Sequence, residues 1–191
     1  MNAYRFLFFG AAVLGFSGLG HAQAVDPGRA AVERADAVVR SLQEAPITDP
    51  TVFVKSAVLG GLTEMELAKL AQSKSQNAGV RTFAARVLKD HEAIHNELAA
   101  IARRKRLDVP TSLDYEDEQL VMTAGEKSDI EFDDWYVRQM IAEYQDAVGL
   151  YQGAAKMDDV EFSTFAKKTL PTLDDQQRTA LALINALQAP H

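Results

Sequence analysis

The chain contains no cysteine in 191 residues. Disulfides and a lipid-modified N-terminal cysteine are therefore excluded, and the fold must be stabilised by its core alone. Positive charge is also short: 20 Lys and Arg stand against 27 Asp and Glu, and the net charge of −7 argues against nucleic acid as a partner. Beyond residue 19 no apolar run approaches membrane-spanning length. Strand-like alternation of useful length and internal repeats are absent. No serine lies near His91 on a nucleophile-type turn, so nothing resembles a hydrolytic triad.

What is present begins with an export signal. Residues 1–5 carry one positive charge, residues 6–19 form a short apolar run, and Ala22-Gln23-Ala24 is a small-x-small cleavage site. The mature chain is expected to begin at Val25, in the bacterial periplasm. Removing the signal takes away only Arg5 among the charged residues, which leaves 19 Lys and Arg against 27 Asp and Glu, or −8. The remaining length, roughly 165 residues, suits one domain with a substantial core. The expected division is a signal peptide over 1–24, a loosely helical or disordered leader over 25–50, and a helical domain over 51–188.

Four amphipathic stretches make up that domain. Asp49 as cap with Pro50 at the first helical position opens the first, over about residues 51–73. Asn77-Ala78-Gly79 marks a turn, and the second runs over about 80–104, before Val109-Pro110. An acidic link over 111–131, with room for a short helix at 117–124, reads as a crossover or lid. The third helix covers about 133–155. The fourth, from Asp159, is expected to kink or split at Leu170-Pro171, where proline removes an amide donor, and to restart at the capping pair Thr172 and Asp175. The cluster Arg103-Arg104-Lys105-Arg106 falls where the second helix ends, so it complements the helix dipole or offers a patch to an anionic surface.

At about 100° per residue each apolar face carries one polar side chain near its middle: Glu64, His91, Tyr144 and Gln176. On the first helix Glu64 centres a small-residue face of Phe53, Ala57, Gly60, Ala68 and Ala71, while Glu66 points to solvent. His91 lies in the stripe of Val80, Ala84, Val87, Ile94, Leu98 and Ile101. Tyr144 falls among Tyr136, Met140, Ala147, Val148 and Tyr151, and Gln176 goes with Leu173, Ala180, Ile184 and Leu187. Counted from the turn, Glu64 and His91 lie within roughly one helical turn axially. Four such faces suggest a ferritin-like antiparallel four-helix bundle, all-α, with a long connection between helices two and three.

Glu92-Ala93-Ile94-His95 has the Glu-x-x-His spacing that lets one helix offer a carboxylate and an imidazole to a metal. Glu92 lies outside the apolar stripe, however, and the fourth helix has no matching motif, since the only later histidine is His191. Met65, Met122, Met140 and Met157 are scattered without the spacing of a copper site and read as core filler.

Gly60-Gly61-Leu62-Thr63-Glu64 with Leu67-Ala68-Lys69-Leu70-Ala71, then Val80-Arg81-Thr82-Phe83-Ala84, Asp90-His91, Phe132-Asp133 with Tyr136, and Leu170-Pro171-Thr172-Leu173 follow one another in an order that resembles the domain-of-unknown-function 4142 family. The resemblance covers about residues 52–187. It implies an exported bacterial ferritin-like protein of a kind often labelled an outer-membrane protein, with polar core positions at Glu64 and His91. Positions matching Tyr144 and Gln176 tend to be histidines in relatives, and this chain departs from the pattern at both.

Three classes of function stay open on the residues. The first is a non-enzymatic periplasmic bundle in which Glu64, His91, Tyr144 and Gln176 satisfy one another, with no cofactor. The second is a protein binding a divalent metal (iron, copper or zinc) through Glu64 and His91, with Tyr144 and Gln176 lending oxygens. The third is a metal-dependent oxidoreductase. Two firm ligands are few for tight binding, which favours the first. The partner is unnamed by the residues; an envelope protein or a second copy of the chain fits an exported bundle.

Overall fold

The computed structural model describes residues 49–189. The signal peptide, its cleavage site at Ala22, Ala24 and Val25, and the leader as far as residue 48 lie outside the described residues. Within them the chain forms five helices: α1 (Pro50–Lys74), α2 (Ala78–Arg104), α3 (Tyr115–Glu126), α4 (Asp129–Ala154) and α5 (Val160–Leu187).

Local chemistry sets most of the boundaries. Asp49 caps α1 by accepting from the Thr51 amide at 2.8 Å, with Pro50 placed where a missing N–H costs nothing. Asn77 caps α2 by accepting from Gly79 and Val80, and Asp159 caps α5 through the amides of Glu161 and Phe162. Asp114 does the same for α3. That helix is longer than the 117–124 segment expected, and it runs through Gly125.

The four long helices pack as a ring, with α1 against α2 and α4, and α5 against α2 and α4. Ring and ion contacts give the directions. Phe53 at the start of α1 meets Tyr151 near the end of α4, and Lys74 at the end of α1 lies over Phe132 near the start of α4. Arg104 at the end of α2 pairs with Glu161 at the start of α5. Every neighbouring pair is thus antiparallel, while α2 and α4 run the same way. Residues 105–128 must therefore travel the length of the bundle, and they form the crossover of a four-helix bundle with one long connection. Helix α3, inside that connection, packs on α1.

This extra neighbour helps to explain why α1 is more enclosed than its small-residue face predicts. Val54, Val58, Leu59 and Leu67 are buried together with Phe53, Ala68 and Ala71, whereas Ala57 and Gly60 are only half-buried. Two aromatic clusters fill the core at different levels. Phe53, Tyr151, Phe162 and Phe165 meet edge-on or tilted near the start of α1. Phe83, Phe132 and Tyr136 gather toward the other end. Met140 and Met157 are core residues as expected, but Met122 is 59% exposed on α3 and fills no core.

The split expected at Pro171 and the restart at Thr172 do not occur, and two residues of the basic cluster find partners on α5. The helix is unbroken through Pro171. Proline there removes the bond to the Lys167 carbonyl, but Pro171 and Lys167 are both exposed, so water can satisfy that oxygen while the opposite face keeps its packing. Thr172 and Asp175 consequently lie inside a continuous helix and cap nothing. The basic cluster after α2 is partly occupied by α5: Arg104 reaches Glu161 at 2.6 Å, and Lys105 reaches Asp159 at 2.8 Å and Glu161 at 3.1 Å. Lys105 also lies over the Phe162 ring.

Candidate functional site

Between the two aromatic clusters the core turns polar. Glu64 on α1, His91 on α2, Tyr144 on α4 and Gln176 on α5 are all buried at this level. Gln176 donates its amide Nε2 to Asp90 Oδ2 at 3.1 Å. A carboxylate only accepts, so this bond fixes the amide and turns Gln176 Oε1 toward His91 Nε2 at 3.2 Å. An amide oxygen also only accepts. His91 must therefore carry a hydrogen on Nε2.

The atom nearest that nitrogen is Glu64 Oε2, at 2.8 Å. The ring N–H is directed at Gln176, so Glu64 meets the imidazole as a close charge contact and its Oε2 is left without a formed hydrogen bond. Burial opposes charging the His91 ring. The Glu64 carboxylate, helped by Gln176 and Asp90, outweighs it and holds the pKa above the ordinary value.

From Asp90 the polar chain continues outward. Arg86 lies 3.4 Å from Asp90 and 2.6 Å from Asp175, and Asp175 also takes Arg178 at 3.2 Å. Buried charge at Glu64 and His91 is in this way linked to a solvated ion-pair cluster between α2 and α5. Sequence reasoning gave Arg86, Asp90 and Asp175 no place in this layer, Asp90 entering only through the family resemblance and Asp175 only as a helix cap, because none sits on an apolar stripe. The detectable signal was Arg86 and Asp90 at i and i+4, a spacing that pairs opposite charges on one helix.

Tyr144 is placed differently from its neighbours in the layer. Its ring lies 6.0 Å from the His91 ring, centroid to centroid, but its hydroxyl has no hydrogen-bond partner among the described residues. The hydroxyl of Tyr136 is likewise buried and unpaired. Burial first, and the negative charge of Glu64 second, push the phenols of Tyr136, Tyr144 and Tyr151 well above the ordinary tyrosine range. All three are neutral and poor anionic ligands. Glu92 is exposed and His95 half-buried, and among the described residues no three His, Asp or Glu side chains converge to hold a metal.

Residues 36–183 match the family described as domain of unknown function DUF4142. The chain belongs to that family. Among solved structures, the crystal structure of a DUF305 fragment from Deinococcus radiodurans is similar at 16% identity, with a TM-score of 0.64, over 72% of this chain and 95% of that one. At such identity the likeness speaks for the helical fold alone. A search of curated proteins returns no significant match.

Two outcomes follow for this DUF4142 chain. An unpaired buried hydroxyl is costly, so Tyr144→Phe should leave stability unchanged or raise it by up to about 2 kcal/mol in urea unfolding. A loss above about 1 kcal/mol would show that the hydroxyl has a partner. The second outcome concerns pH. Folding raises the His91 pKa above its ordinary 6.5, so the charged ring contributes stability that is fully present below that value and lost as pH climbs through the raised one. The stability gap between the natural chain and His91→Gln should narrow on the alkaline side. A gap that widens with rising pH would mean a ring buried neutral.

Proposed function

We propose that this protein is an exported, non-enzymatic periplasmic helical bundle whose Glu64, His91 and Gln176 serve as a structural polar core. The observation that carries the reading is a continuous chain of contacts: the carboxylate lies against the imidazole at 2.8 Å, the imidazole bonds the amide, and the amide is held by Asp90. A buried pair tied in this way selects one register of α2 against α1 and α5, since any slip would leave a charge alone in the core. The signal-like residues 1–24 support export, and no helix among the described residues is long and apolar enough to cross a membrane. The single long crossover supports the ferritin-like label.

A metal held between Glu64 and His91 Nε2 is the competing reading. A metal on Nε2 would have to displace the hydrogen shared with Gln176, and among the described residues no third His, Asp or Glu side chain converges there to offset that loss. Neutral Tyr144 and an amide already bound to Asp90 add little.

The structural reading is tested by a double-mutant cycle. Glu64→Ala and His91→Ala should each destabilise the protein by roughly 2–4 kcal/mol, with a coupling of about 1–3 kcal/mol between them. Additive losses would show that the pair does not act as a unit. Export is tested apart from it: protein recovered from the periplasm should begin at Val25 on N-terminal sequencing, and an intact chain retained in membranes would refute cleavage after Ala24.

A further inference from the structure

Helix α3 carries apolar side chains on two opposite sides. Leu120, Val121 and Ala124 form its inner side and join the core where α3 packs on α1. At about 100° per residue, Tyr115, Gln119, Met122 and Glu126 fall within about 60° of one line directly opposite Ala124, so they form the outward pole of the helix. The outward face of a surface helix is ordinarily polar. Here Tyr115 is 75% and Met122 59% exposed, two of the four large apolar side chains left exposed among the described residues. A helix that is apolar on both sides is suited to being covered on both.

The charges around that pole are of one sign. Residues 115–126 contain no Lys or Arg. Glu116 and Glu118 stand on the two flanks of the pole and Glu126 near its end, all three exposed and none in an ion pair among the described residues. On the long helices exposed carboxylates are answered from their own helix: Glu66 by Lys69 on α1, Asp134 by Arg138 on α4 and Asp175 by Arg178 on α5. On α3 the answering cation has to come from outside the helix.

We propose that the outward face of α3 docks a basic amphipathic helix of a partner protein, whose apolar stripe meets Tyr115 and Met122 and whose marginal lysines or arginines meet Glu116, Glu118 and Glu126. The unbranched, polarisable thioether of Met122 and the rigid ring of Tyr115 suit such a stripe. A second copy of this chain does not, because α3 set against α3 about a two-fold axis brings glutamate to glutamate. An anionic lipid surface is repelled by the same charges. The inference is independent of the Glu64 and His91 core, and either can fail alone.

The probe is a synthetic helical peptide of leucine and lysine with one apolar face, and its control has glutamate at every lysine. The purified protein is titrated with each by calorimetry, and the contact is mapped from backbone amide shifts in nuclear magnetic resonance spectra. The lysine peptide should bind with shifts concentrated in α3 and more weakly as salt is added, while the glutamate peptide should not bind. Tyr115→Ser combined with Met122→Ser should weaken binding at least about tenfold and leave the thermal melt unchanged, since both side chains face solvent. Replacing Glu116, Glu118 and Glu126 together by glutamine should flatten the salt dependence. Absence of binding, shifts centred on another face, affinity unchanged in the Tyr115 and Met122 variant, or a concentration-dependent dimer abolished by Met122→Ser would overturn the proposal.

Discussion

A carboxylate at the centre of a helical bundle must find a cation or be expelled, and the arrangement of this molecule depends on how Glu64 meets that demand. Its answer is His91, 2.8 Å away on the neighbouring helix. That contact sets the level at which α1 and α2 face each other. It is also why the imidazole's pKa stands above its ordinary value in a place where burial alone would lower it. Gln176 then brings α5 to the same level, and Asp90 orients Gln176. One electrostatic requirement thus specifies the relative positions of three helices.

The surrounding structure protects this arrangement by contrast. On one side the Phe53 cluster and on the other the Phe83 and Phe132 cluster are built mainly of aromatic rings, so the polar layer is confined to one level of the bundle. Laterally the chain of contacts opens to solvent through Arg86, Asp175 and Arg178. Buried charge is costly, and sharing it along a graded path toward exposed ion pairs lessens the cost. The tyrosines stand apart. Tyr136 and Tyr144 fill volume with their rings, but their hydroxyls find no partner among the described residues.

Much of this can be read in the residues. The three-residue turn between α1 and α2 places Glu64 and His91 near one level by counting alone, and the caps at Asp49, Asn77 and Asp159 announce where helices begin. Pro171 misled because the rule for proline is stated for a helix on its own. Tertiary packing on the buried face of α5, at Thr169, Leu173 and Gln176, holds the helix through a lost bond that falls on the wet side. Asp90 was overlooked for the opposite reason. A polar residue beside the apolar stripe looks like surface until a partner helix supplies an amide for it.

The sequence by itself determined the helical class, the absence of covalent crosslinks, the order of the elements and the four faces carrying a lone polar group. Those follow from periodicity and capping, which act over a few residues and need no knowledge of neighbours. Only the tertiary structure decided which polar atoms touch: the His91 hydrogen pointing at Gln176 rather than Glu64, the unpaired Tyr144 hydroxyl, and the Nδ1 edge of His91 lying against Gly61. Hydrogen bonds depend on angles and on tenths of an ångström. Side-chain rotamers from helices far apart in the chain settle such distances together, and no local rule carries that information.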